Sequence, residues 1–249
     1  MRIHTLIPSR LQSTRLPGKA LMDIGGKPMI VRAWEQACKA DLGPVTVACG
    51  DAEIVEAVKA AGGKAVLTDP QLPRGSDRVW QALQKLMKKG TKKPDIVMNV
   101  QGDEPFFPPD LIVEAAKAFE LGWPDIVTFC HVTEDPQIIA SPNCVKAVTD
   151  AKGQALYFCR APIPYRAKTV KHHFGFYAYR YEALEKFVLS PPTALEIAED
   201  LEQLRGLELG LKYYVGLTEH KALGVDTLED LERVRRLAAV EQRLLEEED

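Results

Sequence analysis

The sequence lacks several features that would direct it to particular classes of protein. Its 32 lysines and arginines are outnumbered by 35 aspartates and glutamates, which gives a net charge of -3. Nucleic-acid-binding surfaces are strongly basic, so this balance argues against a general nucleic-acid binder. No uninterrupted apolar run approaches the roughly 18 residues of a membrane-spanning helix. We therefore predict neither a nucleic-acid partner nor membrane insertion.

Cysteine is scarce, and its spacing does not suit pairing. The five cysteines form no C-x-x-C motif and leave an odd number. This pattern favours reduced thiols over a disulfide framework or a zinc site. No signal peptide is evident, because Arg2 and His4 interrupt the first residues and Pro8 ends the apolar run. These observations predict a cytoplasmic protein.

The two glycine motifs that commonly bind nucleotide phosphates are also missing. No G-x-G-x-x-G and no P-loop follows the first apolar run, which disfavours a Rossmann dehydrogenase. Residues 3–19 instead read IHTLIPSRLQSTRLPGK, a buried strand closed by Pro8 and then a polar loop. Arg10, Arg15 and Lys19 offer guanidinium forks and an ammonium group, which suit a polyphosphate. A solvated basic loop is the alternative interpretation.

The hydrophobic pattern alternates between strands and helices from the N-terminus onward. Such alternation is typical of a parallel sheet covered by helices. We therefore predict an α/β fold with a mostly parallel, doubly wound, Rossmann-like sheet. The predicted strands are 3–7, 44–49, 64–68, 95–100 and 125–130, and the predicted helices are 29–40, 52–61, 74–89 and 109–121.

Beyond the fifth strand the pattern becomes richer in strands and turns. Residues 145–149 and 154–158 predict a β-hairpin, and the aromatic residues 174–179 predict another strand. A capping-box pattern at Thr193 precedes a predicted helix over 195–209. We expect one domain over residues 1–249, with a smaller β-rich lobe at roughly 136–192.

Charged residues follow several of the predicted strands. Asp103 and Glu104 come directly after strand 95–100, and Asp226 follows a predicted short strand near Leu223. In doubly wound sheets, ligands bind outside the carboxyl ends of the strands. If these strands are parallel neighbours, carboxylates and the cations after Pro8 share one edge, as a nucleotide polyphosphate with a divalent ion requires. Asp226 alone could instead cap the last helix.

Several longer motifs resemble one enzyme family in the same order along the chain. They are PSRLQSTRLPGK, NVQGDEP, FCRAPIP, HHFGFYAYR, LEIAEDLEQLR and GVDTLEDLERVR. The chain is similar over nearly its whole length to the 3-deoxy-manno-octulosonate (Kdo) cytidylyltransferases, also called CMP-Kdo synthetases. The resemblance implies a nucleotidyltransferase fold, the substrates CTP and Kdo, the products CMP-Kdo and pyrophosphate, and Mg²⁺. It also implies a role in making lipopolysaccharide precursors and a homodimer formed through the β-rich lobe.

The resemblance assigns roles to the residues that match the family motifs. Lys19, Arg15, Asp103 and Asp226 would be catalytic, and the two aspartates would hold Mg²⁺. The expected nucleotide-binding residues are Pro8, Arg10, Ser13, Arg15, Lys19, Arg74, Gly75, Ser76 and Gln101. The expected sugar-binding residues are Arg160, His173, Tyr177, Glu202 and Gln203, with Arg160 paired to the Kdo carboxylate.

Three departures from the family pattern leave the choice of sugar acid open. Gly75-Ser-Asp-Arg78 replaces a glycine–threonine–glutamate–arginine segment, Leu228 stands where proline is usual, and the stretch from Arg160 to His173 is short. A cytidylyltransferase for 8-amino-Kdo or for a sialic or pseudaminic acid is therefore one alternative, although Glu202 to Arg205 favours Kdo. A non-catalytic nucleotide-binding homologue is the other.

Overall fold

The computed structural model describes residues 1–221 and 223–248. Its strands are β1 (Ile3–Ser9), β2 (Asp23–Ile24), β3 (Lys27–Pro28), β4 (Val45–Cys49), β5 (Lys64–Leu67), β6 (Ile96–Asn99), β7 (Ile126–Thr133), β8 (Lys146–Thr149), β9 (Ala155–Cys159), β10 (Val170–Arg180) and β11 (Tyr213–Leu217). Its α-helices are α1 (Met29–Cys38), α2 (Ala52–Ala60), α3 (Gly75–Lys88), α4 (Asp110–Ala118), α5 (Pro136–Ala140), α6 (Tyr181–Leu189), α7 (Ala194–Glu199), α8 (Gln203–Glu208) and α9 (Leu228–Glu248). Short 3-10 helices cover Lys19–Leu21 and Phe119–Leu121.

The chain divides into two compact units. The first unit contains Met1–Pro94, Asn99–Asp110 and Ala222–Asp249, and the second contains Asp95–Met98 and Leu111–Lys221. The expectation of one domain with a β-rich lobe at 136–192 stays a prediction. Among the described residues, no helix combines the length and hydropathy needed to cross a bilayer.

The first unit is built on three parallel strands. β4 pairs with β1 from Thr5↔Val45 to Ser9↔Cys49, and it pairs with β5 on its other side. β1 and β4 are almost entirely buried, because helices must cover both faces of a parallel sheet, and this explains their continuous apolar sequences. The predicted α/β fold with a mostly parallel sheet is confirmed. The chain leaves the carboxyl end of β1 directly into the basic loop.

Helix α9 is docked onto this unit through its apolar face. Leu231, Val234 and Ala238 join one buried cluster with Met29 and Ile24. The helix starts at Leu228, so in this chain it begins without a proline at that position.

The N-terminus of α9 is capped by Thr227 and Asp230. Asp230 Oδ2 accepts hydrogen bonds from the backbone N–H of Asp226 and Thr227 and from the Thr227 hydroxyl. Burial raises the pKa of the Asp230 carboxyl, but these hydrogen bonds outweigh the burial and lower it. The interpretation of Asp226 as the cap is therefore wrong.

The second unit has β7 at the centre of its sheet. β7 pairs in parallel with β11 and antiparallel with β10, and β6 lies on the other side of β10. β8 and β9 form the predicted hairpin, and β8 also pairs with β10.

The predicted single helix over 195–209 is wrong. The structure has two short helices, α7 and α8, which are separated at Asp200, a left-handed residue with φ +51°. Arg160 donates from Nε to Glu199 O and from Nη2 to Asp200 O, so the carbonyls at the break have partners. A helix end needs such partners, and this one receives them from Arg160, the residue that follows β9.

Candidate active site

A polar cavity of about 310 Å³ opens in the first unit at the carboxyl end of β1. Many of the residues predicted to bind nucleotide or metal line it. These are Pro8, Arg10, Ser13, Arg15, Lys19, Arg74, Gly75, Gln101, Asp103 and Asp226. Ser76 is the exception, because it is fully buried within the first turn of α3 and does not line the cavity.

The loop after β1 is held in shape by backbone hydrogen bonds and one carboxylate. Gly18 N–H donates to Leu11 O at 2.9 Å and closes the loop on itself, and Gly18 adopts φ +73° to do so. Leu11 N–H donates to Asp51 Oδ2 at 2.7 Å, which ties the loop to the residues after β4. The loop is thus a closed arch that presents Arg10 and Arg15 at the cavity.

Lys19 forms the centre of the charged groups in the cavity. Its Nζ lies 2.7 Å from Asp103 Oδ2, 3.0 Å from Asp226 Oδ1 and 2.7 Å from Val225 O. Arg15 Nη2 lies 2.9 Å from the other oxygen of Asp226. Burial lowers the pKa of Lys19, but the charges and hydrogen bonds of the two aspartates more than offset it and raise the pKa. Lys19 is therefore fully charged at neutral pH.

Asp226 reaches this cavity by a route that the sequence did not predict. Residues 223–227 form no strand, so the predicted strand near Leu223 is wrong for these residues, while Ala222 lies outside the described residues. Val225 N–H donates to Asp103 O at 3.0 Å. This long-range backbone hydrogen bond lays the segment beside Asp103 and brings the two carboxylates together.

Two glycines allow the elements around the cavity to approach Pro8. A Cβ at Gly102 would lie 2.8 Å from Pro8 O and 3.0 Å from Ile30 Cδ1, which is too close for a side chain. A Cβ at Gly75 would lie 3.2 Å from Pro8 Cγ. Pro8 thus serves as the surface against which Gly102 and the start of α3 pack.

Arg78 was not predicted as a functional residue, yet it lines the cavity. Its side chain is fully buried, and Nη1 donates to Thr68 Oγ1 at 2.7 Å and to Asp69 O at 3.0 Å. These bonds hold the loop whose Leu72 also lines the cavity. The available signal was its spacing: Arg78 follows Arg74 by four residues, so the predicted helix over 74–89 would place the two on one face.

Of the acidic pair after β6, only Asp103 lines the cavity. Glu104 is buried, and burial, together with the nearby charge of Asp103, raises its pKa to about 8. Its carboxyl group is therefore largely protonated at neutral pH, and it is not a candidate metal ligand.

The residues present fit a metal ion that is bound partly by protein carboxylates and partly by a substrate phosphate. Among the described residues, no group of three or more histidine, cysteine or carboxylate side chains is arranged to hold a metal. Asp103 and Asp226 nevertheless converge on one cationic atom, Lys19 Nζ. Mg²⁺ is commonly bound by one or two carboxylates together with substrate phosphates. This pair suits such an ion better than a metal held by protein ligands alone.

In the second unit, His173 and Tyr177 lie side by side although they are four residues apart on β10. A regular strand would separate them by roughly 13 Å, but a register shift between them brings their ring centroids to 5.3 Å. Thr128 stabilises this irregularity by donating its hydroxyl to Phe176 O at 2.7 Å. That hydroxyl has no second proton, so His173 Nε2, 2.8 Å away, is the donor to Thr128 Oγ1. Burial, and then the nearby His172, lowers the pKa of His173 to about 3, so its ring is neutral.

The start of α8 lies near this pair. Burial raises the pKa of Tyr177 well above its usual value, and the nearby Tyr213 and Glu202 raise it further. Gln203 is buried, and its carbonyl accepts a hydrogen bond from the Tyr213 hydroxyl at 3.0 Å. The structure thus brings four of the predicted sugar-binding residues into one region of the second unit: His173, Tyr177, Glu202 and Gln203.

Arg160, the fifth of these residues, holds the break between α7 and α8. In addition to its bonds with Glu199 and Asp200, it donates from Nη1 to Pro142 O at 3.0 Å. The guanidinium group is partly exposed, so it can still present its charge to an anion.

The chain is similar to known proteins in both sequence and structure. The family described as Cytidylyltransferase matches residues 4–215. A 3-deoxy-manno-octulosonate cytidylyltransferase of Rhodospirillum rubrum is 49% identical over 240 residues, which cover 93% of this chain and 94% of that protein. The protein of the same name from Paramagnetospirillum magneticum is 46% identical over 237 residues, which cover 93% and 96%. A solved structure of CMP:2-keto-3-deoxy-manno-octonic acid synthetase complexed with CTP superposes with a TM-score of 0.88 at 37% identity, and covers 97% of this chain and 100% of that one.

Proposed function

The chain belongs to the cytidylyltransferase family, and within it to the 3-deoxy-manno-octulosonate cytidylyltransferases. From this premise we propose that it transfers CMP from CTP to the 2-hydroxyl of Kdo and releases pyrophosphate. The product, CMP-Kdo, would supply lipopolysaccharide precursor synthesis. The relatives' names support the two substrates, and the solved relative's complex supports CTP in particular.

One observation carries the proposal: the link from Lys19 Nζ to Asp103 and Asp226 in a cavity rimmed by arginines. A triphosphate needs positive charge along its length, and Arg10, Arg15 and Lys19 provide it. An attacking hydroxyl and a leaving pyrophosphate need charge stabilisation at opposite sides of the same phosphorus. A cavity that has both cations and paired carboxylates meets these requirements.

In the proposed reaction, the Kdo hydroxyl attacks the α-phosphorus of CTP in line and gives up its proton to solvent, and the bond from that phosphorus to the β-phosphate bridging oxygen breaks. Lys19 and Arg15 would stabilise the negative charge that builds on the departing pyrophosphate, because both cations lie at the cavity beside the two aspartates. Mg²⁺ bound by Asp103 and Asp226 would lower the pKa of the attacking hydroxyl and neutralise charge on the α-phosphate. No covalent enzyme intermediate is required.

We propose that the sugar acid is bound by the residues gathered in the second unit. His173 is neutral and donates from Nε2 to Thr128, so Nδ1 is its acceptor atom for a sugar hydroxyl. Tyr177 and the start of α8, with Glu202 and Gln203, would complete the hydroxyl contacts. Arg160 would pair with the carboxylate that distinguishes a sugar acid from a neutral sugar.

We also propose a cytoplasmic homodimer. The free thiols of the five cysteines support a reducing compartment. The β-rich lobe exposes Leu156 and Tyr165, with 57% and 86% of their surface accessible, and these side chains are candidates for the dimer contact. Light scattering after chromatography should give twice the chain mass, and Leu156→Glu should shift the protein towards the monomer.

A panel of sugar acids tests the proposal directly. Purified protein would be incubated with CTP, Mg²⁺ and Kdo, 8-amino-Kdo, a sialic acid or a pseudaminic acid, and pyrophosphate release would be measured. We expect turnover with Kdo to exceed turnover with each of the others. Turnover with another acid but none with Kdo would overturn the choice of substrate and leave the reaction class standing.

The alternative of a non-catalytic homologue makes a different prediction. Such a protein would bind CTP even after Asp103→Ala and would release no pyrophosphate with any acid in the panel. Because both carboxylates and the three loop cations are present, we favour the enzyme.

A further inference from the structure

Tyr213 connects the expected sugar-binding residues of β10 with those of α8. Its hydroxyl donates to Gln203 O at 3.0 Å, at the first residue of α8. Its ring lies 5.6 Å from the ring of Phe158, which in turn lies 5.1 Å from the ring of His173. Tyr213 is fully buried, so its position is fixed by packing on all sides.

Gly206 allows this contact. A Cβ at position 206 would overlap the phenol oxygen of Tyr213 and would lie 2.8 Å from both Cε2 and Cζ. No L side chain fits unless the ring or the helix moves. Glycine is unfavourable inside a helix, so its presence in the middle of α8 is explained by the close approach of Tyr213.

A second set of bonds fixes Arg205, the residue before Gly206 in the same helical turn. Arg205 donates from Nε and Nη2 to the two carboxylate oxygens of Glu196, each at 2.7 Å. Arg205 Nη1 donates to Phe187 O at 3.1 Å, and the guanidinium group lies over the Phe187 ring. The turn is thus held by the contacts of Arg205 and by those of Tyr213.

We propose that Tyr213 and Gly206 are positioning residues for sugar-acid binding. Their contact sets where Glu202 and Gln203 lie relative to His173 and Tyr177, and so determines which sugar acid is accepted. This inference rests on the proposed function, because it concerns the same sugar site. Neither residue is assigned a contact with the substrate.

The first test removes one atom. Tyr213→Phe should raise the KM for Kdo about 3- to 10-fold, the equivalent of one neutral hydrogen bond, and leave the KM for CTP within about twofold. The ratio of kcat/KM for Kdo to that for 8-amino-Kdo should fall, because the Glu202 segment is less firmly placed. A Tyr213→Phe protein that remains folded and keeps both the wild-type KM for Kdo and this ratio would overturn the proposal.

The second test uses the overlap at position 206. Gly206→Ala should raise the KM for Kdo by more than Tyr213→Phe does, because the ring or the turn must move. The double variant combines Tyr213→Phe with Gly206→Ala. In it the phenol oxygen is gone, and only the 2.8 Å contacts of the new Cβ with ring atoms Cε2 and Cζ remain. We therefore expect the double variant to have a lower KM for Kdo than Gly206→Ala alone, which is the coupling that contacting residues show. Strictly multiplicative effects would contradict the proposed contact.

Gly216→Ala is a matched control in the same unit. A Cβ there would lie 2.5 Å and 2.6 Å from two ring atoms of Phe129, so the strain is similar, but it falls on Phe129 and not on the contact between Tyr213 and Gly206. We expect a comparable loss of melting temperature with an unchanged KM for Kdo. Equal increases of KM in Gly216→Ala and Gly206→Ala would show that general destabilisation is the cause.

The outcomes for the wild type separate this proposal from the proposed function. If the wild type turns over a sugar acid other than Kdo, the same comparisons are made with that acid. If the wild type turns over none of the panel, the proposed function fails and this inference fails with it. A wild type that is active while its variants are unchanged refutes only the positioning role.

Discussion

The ammonium nitrogen of Lys19 lies 2.7 Å from Asp103 Oδ2 and only 3.0 Å from Asp226 Oδ1. One cation therefore holds together two carboxylates that come from distant parts of the sequence. The side chain of Lys19 is 13% exposed, so water screens this cluster only partly. The predictions about the first unit start from this link.

Replacing Lys19 by methionine should reduce turnover strongly. The variant loses the charge that would stabilise departing pyrophosphate, and we expect kcat to fall by about 100- to 1,000-fold. The rate of pyrophosphate release at saturating CTP and sugar acid measures this kcat. Lys27→Met is the matched control, since Lys27 is an exposed lysine paired with Glu35 in the same unit, and its kcat should not change.

Asp226→Asn should abolish turnover while CTP binding largely persists. The substitution keeps the size of the side chain but removes the charge that pairs with Arg15 and Lys19. Calorimetry with CTP and a turnover assay separate the two effects. Asp230→Asn is the comparison: it weakens the cap of α9 and should cost about 1 kcal/mol of stability, with turnover retained. Near-normal activity of Asp226→Asn would remove Asp226 from the metal site.

Mg²⁺ should bind more tightly when CTP is present. Without nucleotide, the ion must compete with Lys19 Nζ for the oxygens of Asp103 and Asp226. With CTP, the phosphates supply further ligands and attract Lys19. Calorimetric titration of Mg²⁺ with and without saturating CTP, and no sugar acid, measures the difference. Equal affinities in the two titrations would contradict a shared site.

Breaking the buried pair of the second unit should destabilise the protein. Arg205 and Glu196 are 3% and 1% exposed, so Arg205→Met leaves a carboxylate without its cation in the interior. The expected loss is about 3–5 kcal/mol of unfolding free energy, measured by urea denaturation. Adding Glu196→Leu should recover part of it, because the unpaired charge is removed. A double variant less stable than Arg205→Met would argue that packing, rather than charge, sets the cost.

His4 should make stability fall at mildly acidic pH. It is buried and bonded to Thr46 Oγ1 at 3.0 Å, and burial, together with the charge of Lys64, lowers its pKa to about 4. The unfolded chain takes up the proton near pH 6.5 and the folded chain does not, so this contribution is lost as the pH falls from 6.5 to 4. The full loss is about 3 kcal/mol. Urea midpoints of the wild type and His4→Gln at pH 7 and pH 5 measure it, and the variant should depend less on pH.

Local sequence patterns were enough to predict much of the fold. Helices α1 and α2 begin at the predicted residues, and strands β4 and β5 lie within their predicted ranges. Apolar periodicity and glycine or proline boundaries act over a few residues, so the sequence reveals them directly. The basic loop and Asp103 were predicted to share one edge for the same reason: each follows a recognisable strand.

Features that depend on distant contacts could not be predicted in this way. The pattern over 195–209 continues through Asp200, and the helix breaks there with bonds from Arg160, which is 40 residues away in the sequence. The segment of Asp226 is placed by the hydrogen bond from Val225 to Asp103 and not by a strand. The sequence does not reveal whether the Arg78 side chain is buried or exposed. Only the carbonyl and hydroxyl groups around it in the fold show that its guanidinium is buried.

The hydrogen bond from Val225 to Asp103 has a consequence for how the enzyme is made. Lys19 and Asp226 are 207 residues apart in the sequence, so a ribosome must translate all the residues between them before the two can meet. A nascent chain can complete β1 and its loop early, but it has no complete charged cluster until α9 emerges. Chains that end before Asp226 would therefore yield no partly active product.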